Sequence, residues 1–166
     1  ARRDVSEPYY SDGLVTLWHG DALDVLQELA DESVDIAVTS PPYNMGVTPG
    51  GNGRGMYAHT TQKASRFGDG YSDEGDDSLD PETYVALRQS ELAEMWRVCR
   101  SAVFYNHRPR IIHGEMQDPL EGEYRLPLRQ RIILARPTGI DVGLSHFCTR
   151  AEYLLLFAKP GFALAS

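Results

Sequence analysis

The chain predicts an α/β fold: a mostly parallel sheet ending in an antiparallel C-terminal hairpin. Three observations point there. A short apolar run, Val34-Asp35-Ile36-Ala37-Val38, halts at Pro41-Pro42. An amphipathic segment from Pro81 to Cys99 leads directly into a second apolar run, Ser101 to Asn106. Two more runs, Arg129 to Ala135 and Tyr153 to Ala158, close the chain with a turn through Pro137-Thr138-Gly139 and a polar crossing between them. With 166 residues, one domain is expected over 1–166, long enough to bury a sizeable core.

Taken in order, Ala1 to Asp12 is polar and reads as a loosely held arm anchored by Tyr9 and Tyr10. Gly13 to His19 carries apolar residues on both faces, as a buried strand does. A helix follows, because Ala22, Leu23, Val25, Leu26 and Leu29 form one stripe ending at Ala30-Asp31, and Asp21 stands in front of it as the N-cap. The strand over 34–38 must then end, since two successive prolines fix φ and bring no N–H to a ladder. The ends of strands are where open α/β sheets keep their sites.

The segment from Met45 to Asp80 has no periodicity and many glycines, and reads as a flexible loop, solvated or acting as a lid. Its basic half carries Arg54, His59, Lys63 and Arg66, and its acidic half Asp69, Asp73, Glu74, Asp76 and Asp77. The run Gly50-Gly51-Asn52-Gly53-Arg54-Gly55 is not a phosphate loop, because no Lys-Ser or Lys-Thr follows and no helix opens on it. Asp80 caps the next helix and Pro81 fits its first turn, with Tyr84, Leu87, Glu91, Leu92, Met95, Trp96 and Cys99 largely on one face. The strand after it places Asn106, His107 and Arg108 at its carboxyl end, on the rim of Tyr43 if the two strands run parallel. From Ile111 to Leu128 the chain reads as irregular, broken by Pro119, Gly122 and Pro127.

Composition narrows the function classes. A net charge of −8 and a pI near 5.0 argue against a protein that coats nucleic acid with its whole surface, though not against a local basic groove. Cys99 and Cys148 lie far apart without metal spacing, so both read as buried thiols of a reducing compartment, and no metal is expected. The chain has no apolar run of membrane length and opens on no signal peptide, which predicts a cytoplasmic protein without membrane contact.

The chemistry concentrates in Thr39-Ser40-Pro41-Pro42-Tyr43-Asn44. A bare Pro-Pro-Tyr is more often a turn with a surface tyrosine; the whole hexapeptide after a buried strand favours function. An aromatic amine is a weak nucleophile because its lone pair is delocalised into the ring. Acceptors aimed at its two hydrogens favour the pyramidal, charge-developing form. Ser40 Oγ and the Pro41 carbonyl can supply those acceptors, and Tyr43 can stack on a base swung out of its duplex.

This hexapeptide resembles the catalytic motif of the DNA amino-methyltransferases, which transfer a methyl group from S-adenosylmethionine to the amino nitrogen of cytosine (N4) or adenine (N6). Val15 to Leu23 followed by Ser33-Val34-Asp35 is similar to the segment preceding that motif in the permuted beta group. Val103 to Arg110, Leu128 to Ile133 and Ala151 to Lys159 follow in that group's order, so the resemblance covers nearly the whole chain. It implies a Rossmann-like methyltransferase sheet, Ser40, Pro41, Pro42 and Tyr43 as catalytic residues, Asp21 and Ser40 beside the methyl donor, and Asn44, Asn106 and His107 around the DNA base. Serine at the first motif position leans towards cytosine. His107 as a general base is not favoured, because an amine attacking a sulfonium centre can lose its proton late.

The glycine-rich turn after a strand that holds the donor in this family is absent from the chain. By resemblance, two strands would lie between the Gly13–Gly20 segment and the strand at Val34. The chain is therefore expected to be the N-terminal half of a catalytic domain with an incomplete sheet, a fragment or one completed by a homodimer or complementing chain. The function expected is site-specific DNA methylation, in a restriction-modification system or a phage. The alternative is a non-catalytic or split-enzyme subunit that binds DNA and needs a partner to bind the cofactor.

Overall fold

The computed structural model describes residues 7–44, 79–112, 115–117, 125–135 and 150–164. Its elements in chain order are β1 (Tyr10–Ser11), β2 (Thr16–Leu17), α1 (Ala22–Glu28), β3 (Val34–Thr39), α2 (Pro81–Val98), β4 (Cys99–His107), β5 (Arg110–Ile112), β6 (Glu115–Gln117), β7 (Leu128–Ala135) and β8 (Ala151–Ala158). The expected 45–80 loop, apart from Leu79 and Asp80, lies outside the described residues, as does Cys148.

The protein is a mixed α/β structure. Four strands form its main sheet in the order β3-β4-β8-β7. β3 and β4 are parallel, with Val34 opposite Cys99 and Thr39 opposite Tyr105. β8 runs antiparallel to β4, and β7 antiparallel to β8, so the expected C-terminal hairpin is present. The expectation of a mostly parallel sheet is corrected: within this four-stranded sheet of the described residues one pairing is parallel and two are antiparallel. An apolar run marks a strand, but it does not encode which way that strand points.

Two other expectations are also revised. Gly13–His19 forms no buried strand; only Thr16 and Leu17 pair, with Tyr10 and Ser11, and Leu14 is 95% exposed. A local turn organises this hairpin instead: Asp12 accepts from the amides of Leu14 at 2.9 Å and Val15 at 2.8 Å, while Gly13 takes φ 88°. The stretch expected to be irregular after Ile111 begins as a short antiparallel hairpin, β5 with β6.

The helices begin where the short-range chemistry puts them. Asp21 accepts from the amides of Leu23 (2.9 Å) and Asp24 (3.3 Å), and Asp80 from that of Thr83 (3.0 Å). α1 ends at Glu28, two residues short of the expected stop, with Leu29 as its C-cap. Arg97 of α2 explains how so short a helix holds: its guanidinium donates to the carbonyls of Leu26 and Leu29, both at 2.8 Å, and pairs with Asp31 and Glu94. Those carbonyls lie at the open end of α1, so a side chain from α2 both caps the helix and docks it.

Tyr84, Arg88, Leu92, Met95 and Val98 form the buried face of α2. With Cys99, Val103, Tyr105, Leu155 and Phe157, the apolar residues from Leu92 onward make the core between helix and sheet. Burial pushes the Cys99 thiol above its ordinary pKa and raises the Tyr105 phenol strongly. Strand alternation turns Ala102, Phe104, Leu156 and Ala158 to the opposite face, where Phe162 packs. Ile36 and Val38 belong to that second face and are 46% and 69% exposed.

Candidate active site

Because β3 and β4 run the same way, with Thr39 beside Tyr105, the residues that follow emerge together at one rim of the sheet. Ser40 leaves β3, and Asn106, the last residue but one of β4, lies next to it. Tyr43 donates its hydroxyl hydrogen to Asn106 Oδ1, and Ser40 Oγ lies 2.8 Å from the Tyr43 hydroxyl and 3.5 Å from the same Oδ1. An amide oxygen only accepts, so the Tyr43 proton points to Asn106, and Ser40 Oγ is left to donate to the Tyr43 hydroxyl oxygen or to the same Oδ1.

His107 lies behind the cluster, only 2% exposed. Its imidazole stacks on Tyr105 (6.1 Å, 6°) and meets the Tyr43 ring edge-on (5.6 Å, 63°). The Tyr84 hydroxyl lies 3.0 Å from His107 Nε2 and donates to the Pro42 carbonyl at 2.9 Å. Arg88, one turn further along α2, is itself 2% exposed; it pairs with Glu91 at 3.2 Å and places its guanidinium 5.3 Å from the Tyr84 ring centre. On the other side, the Arg108 guanidinium sits 5.7 Å from the centre of the Tyr43 ring.

Asn44 adopts φ 54°, in the left-handed region that asparagine tolerates better than most residues, and donates through Nδ2 to the Leu79 carbonyl at 2.7 Å. It therefore joins the two edges of the long expected loop. Pro41 is buried at the base of the turn.

The structure thus brings together Ser40, Pro42, Tyr43, Asn106 and His107, with Asn44 tied back to the start of α2. It does not draw Asp21 into this cluster; that carboxylate caps α1. Sequence reasoning missed Tyr84 and Arg88 as site supports. The signal was present in the spacing: Arg88 falls four residues after Tyr84 and four before Leu92, on the buried stripe, where an arginine is out of place unless it has polar company.

Among the described residues no cluster of His, Cys, Asp or Glu has the makings of a metal site, and no helix is long and apolar enough to cross a membrane. The positive-φ glycines among the described residues, Gly13 and Gly161, have nothing within 4 Å of a built Cβ, so neither lines a close-fitting cradle.

No protein-family description matches the chain. Over 45 residues it is 42% identical to the type II methyltransferase M.ScaI of Streptomyces caespitosus, a match covering 27% of this chain and 15% of that protein. It superposes with a TM-score of 0.52 on the crystal structure of a candidate DNA modification methylase from Thermus thermophilus, at 20% identity over 89% of this chain and 53% of that one. The chain therefore spans about half of one of these proteins and a small part of the other, and what the structural likeness establishes is a shared fold.

Proposed function

We propose that this chain carries the base-binding and catalytic half of a DNA amino-methyltransferase, acting on the N4 amino group of cytosine or the N6 amino group of adenine. The observation that carries the reading is the Ser40–Tyr43–Asn106 cluster at the shared carboxyl rim of β3 and β4. The likenesses to M.ScaI and to the Thermus protein support it.

In this reading the target base leaves the duplex and stacks on Tyr43. Arg108 holds its guanidinium 5.7 Å from the centre of that ring. Ser40 Oγ and the Pro41 carbonyl accept the two amine hydrogens, which draws the nitrogen lone pair out of conjugation as charge develops. Asn106 holds the Tyr43 hydroxyl, and Asn44 keeps the turn closed against α2. S-adenosylmethionine supplies an electrophilic methyl group on sulfur, and Asp21 and Ser40 are the residues of this chain assigned to its side of the site. The setting that suits the activity is a cytoplasmic restriction-modification or phage enzyme, with duplex DNA as substrate and a further segment, a second copy or a complementing chain completing the donor pocket.

The test is to incubate the full-length protein with duplex DNA and methyl-labelled S-adenosylmethionine, then digest the DNA to nucleosides for mass spectrometry. N4-methylcytosine is the expected product. N6-methyladenine keeps the enzyme class and changes the base, whereas unmodified DNA rejects the reading.

A further inference from the structure

We infer that Tyr84 is a positioning residue for the catalytic turn, acting as a proton-ordered bridge between the Pro42 carbonyl and His107; the catalytic part of this inference rests on the function proposed above. The reason begins in the turn itself. Pro41 and Pro42 contribute no N–H, so two consecutive residues of the turn can be anchored through the backbone only by their carbonyl oxygens. A carbonyl needs a donor brought from elsewhere, and the Tyr84 hydroxyl brings one from α2, 2.9 Å from the Pro42 oxygen. This bond spans 42 residues of sequence and ends one peptide before Tyr43.

Proton accounting then fixes the next contact. A tyrosine hydroxyl has a single hydrogen, and the Pro42 oxygen can only accept it. At the 3.0 Å contact with His107 Nε2, the Tyr84 oxygen must therefore be the acceptor and Nε2 must carry the hydrogen. Nε2 is consequently unable to take a proton from a substrate amine. His107 serves the site through its ring: it stacks on Tyr105 and sets the edge against which Tyr43 rests. Arg88 adds a positive charge over the Tyr84 ring, in a buried setting where such contacts are strongest. Tyr84 is 0% and His107 2% exposed, so their contact lies in the low-dielectric interior, where a mismatched donor or acceptor is costly.

Two measurements on the full-length protein test this. Two-bond nitrogen–proton correlation NMR assigns the protonated nitrogen of His107, and a hydrogen on Nε2 is expected. A His107 with Nε2 unprotonated overturns the bridge, whether or not the protein methylates DNA. The second is Tyr84→Phe, which keeps the ring and removes only the hydroxyl. Turnover is expected to fall on the order of 10- to 100-fold, as small misplacements of reacting groups do, with KM for S-adenosylmethionine unchanged within about twofold. Wild-type turnover in Tyr84→Phe, or equal losses in kcat and donor affinity, overturns the positioning role. An inactive wild type fails the proposed function instead, and leaves the NMR result to decide the bridge.

Discussion

Asn106 accepts the hydroxyl hydrogen of Tyr43 from across a parallel strand pair, 63 positions apart in the chain. The bond orients the ring and commits the Tyr43 proton, and Ser40 Oγ lies within reach of both partners. Asn106→Ala should therefore disturb both partners while leaving the sheet intact. Single-turnover methylation is expected to slow on the order of 100-fold, with thermal stability nearly unchanged. A wild-type rate would remove Asn106 from the site.

Tyr43 has two separable properties, a flat ring and a hydroxyl. Tyr43→Phe keeps stacking and loses the bond to Asn106, so a loss of about 10-fold in turnover is expected; Tyr43→Ala loses both and should fall much further. Donor affinity, measured by calorimetry, should change little in either. Equal losses of turnover and donor binding would count against a stacking role.

Leu92 sits at 2% exposure where α2 meets β4 and β8. Truncation to alanine opens a cavity in the core and is expected to destabilise by about 2–5 kcal/mol in chemical denaturation. A change below about 1 kcal/mol would mean that α2 is not packed as described.

The cap at Asp80 predicts a pH dependence. Its carboxyl is held below the ordinary value of 3.8, chiefly by the side chain and amide of Thr83. A lowered folded-state pKa means that the charged carboxylate's stabilisation is fully present above the unfolded-state value and is lost as pH falls through the lowered one. The Asp80→Asn variant keeps a capping oxygen without a titrating proton, so its thermal midpoint should fall less steeply below pH ~4 than wild type. Identical acid limbs would assign the effect to other carboxylates, such as Asp12, which is lowered in the same way by the amides of Val15 and Leu14.

What was legible in the sequence was local. The caps at Asp21 and Asp80 involve residues two or three positions away, and the apolar runs mark β3, β4, β7 and β8 as strands, although only β4 and β8 carry buried residues. The clustering at the rim could be anticipated because a proline pair must leave the sheet. The direction of β8 relative to β4 was not legible, since the two look alike as runs yet oppose each other, whereas the antiparallel pairing of β7 with β8 was. Nor was the exposure of Leu14, Val15 and Leu17, which depends on what lies nearby and not on their own pattern. Tyr84 read as one more apolar position on a helix, because its partners Pro42 and His107 are distant in sequence and meet it only in the fold.

Cys99 closes α2, opens β4 and is wholly shielded, with its thiol pushed away from the reactive thiolate. An alkylating reagent can reach it only when helix and strand part company. The rate at which this sulfur is labelled thus serves as a clock for that separation, and comparing it with and without DNA would show whether the proposed substrate tightens the junction of α2 and β4.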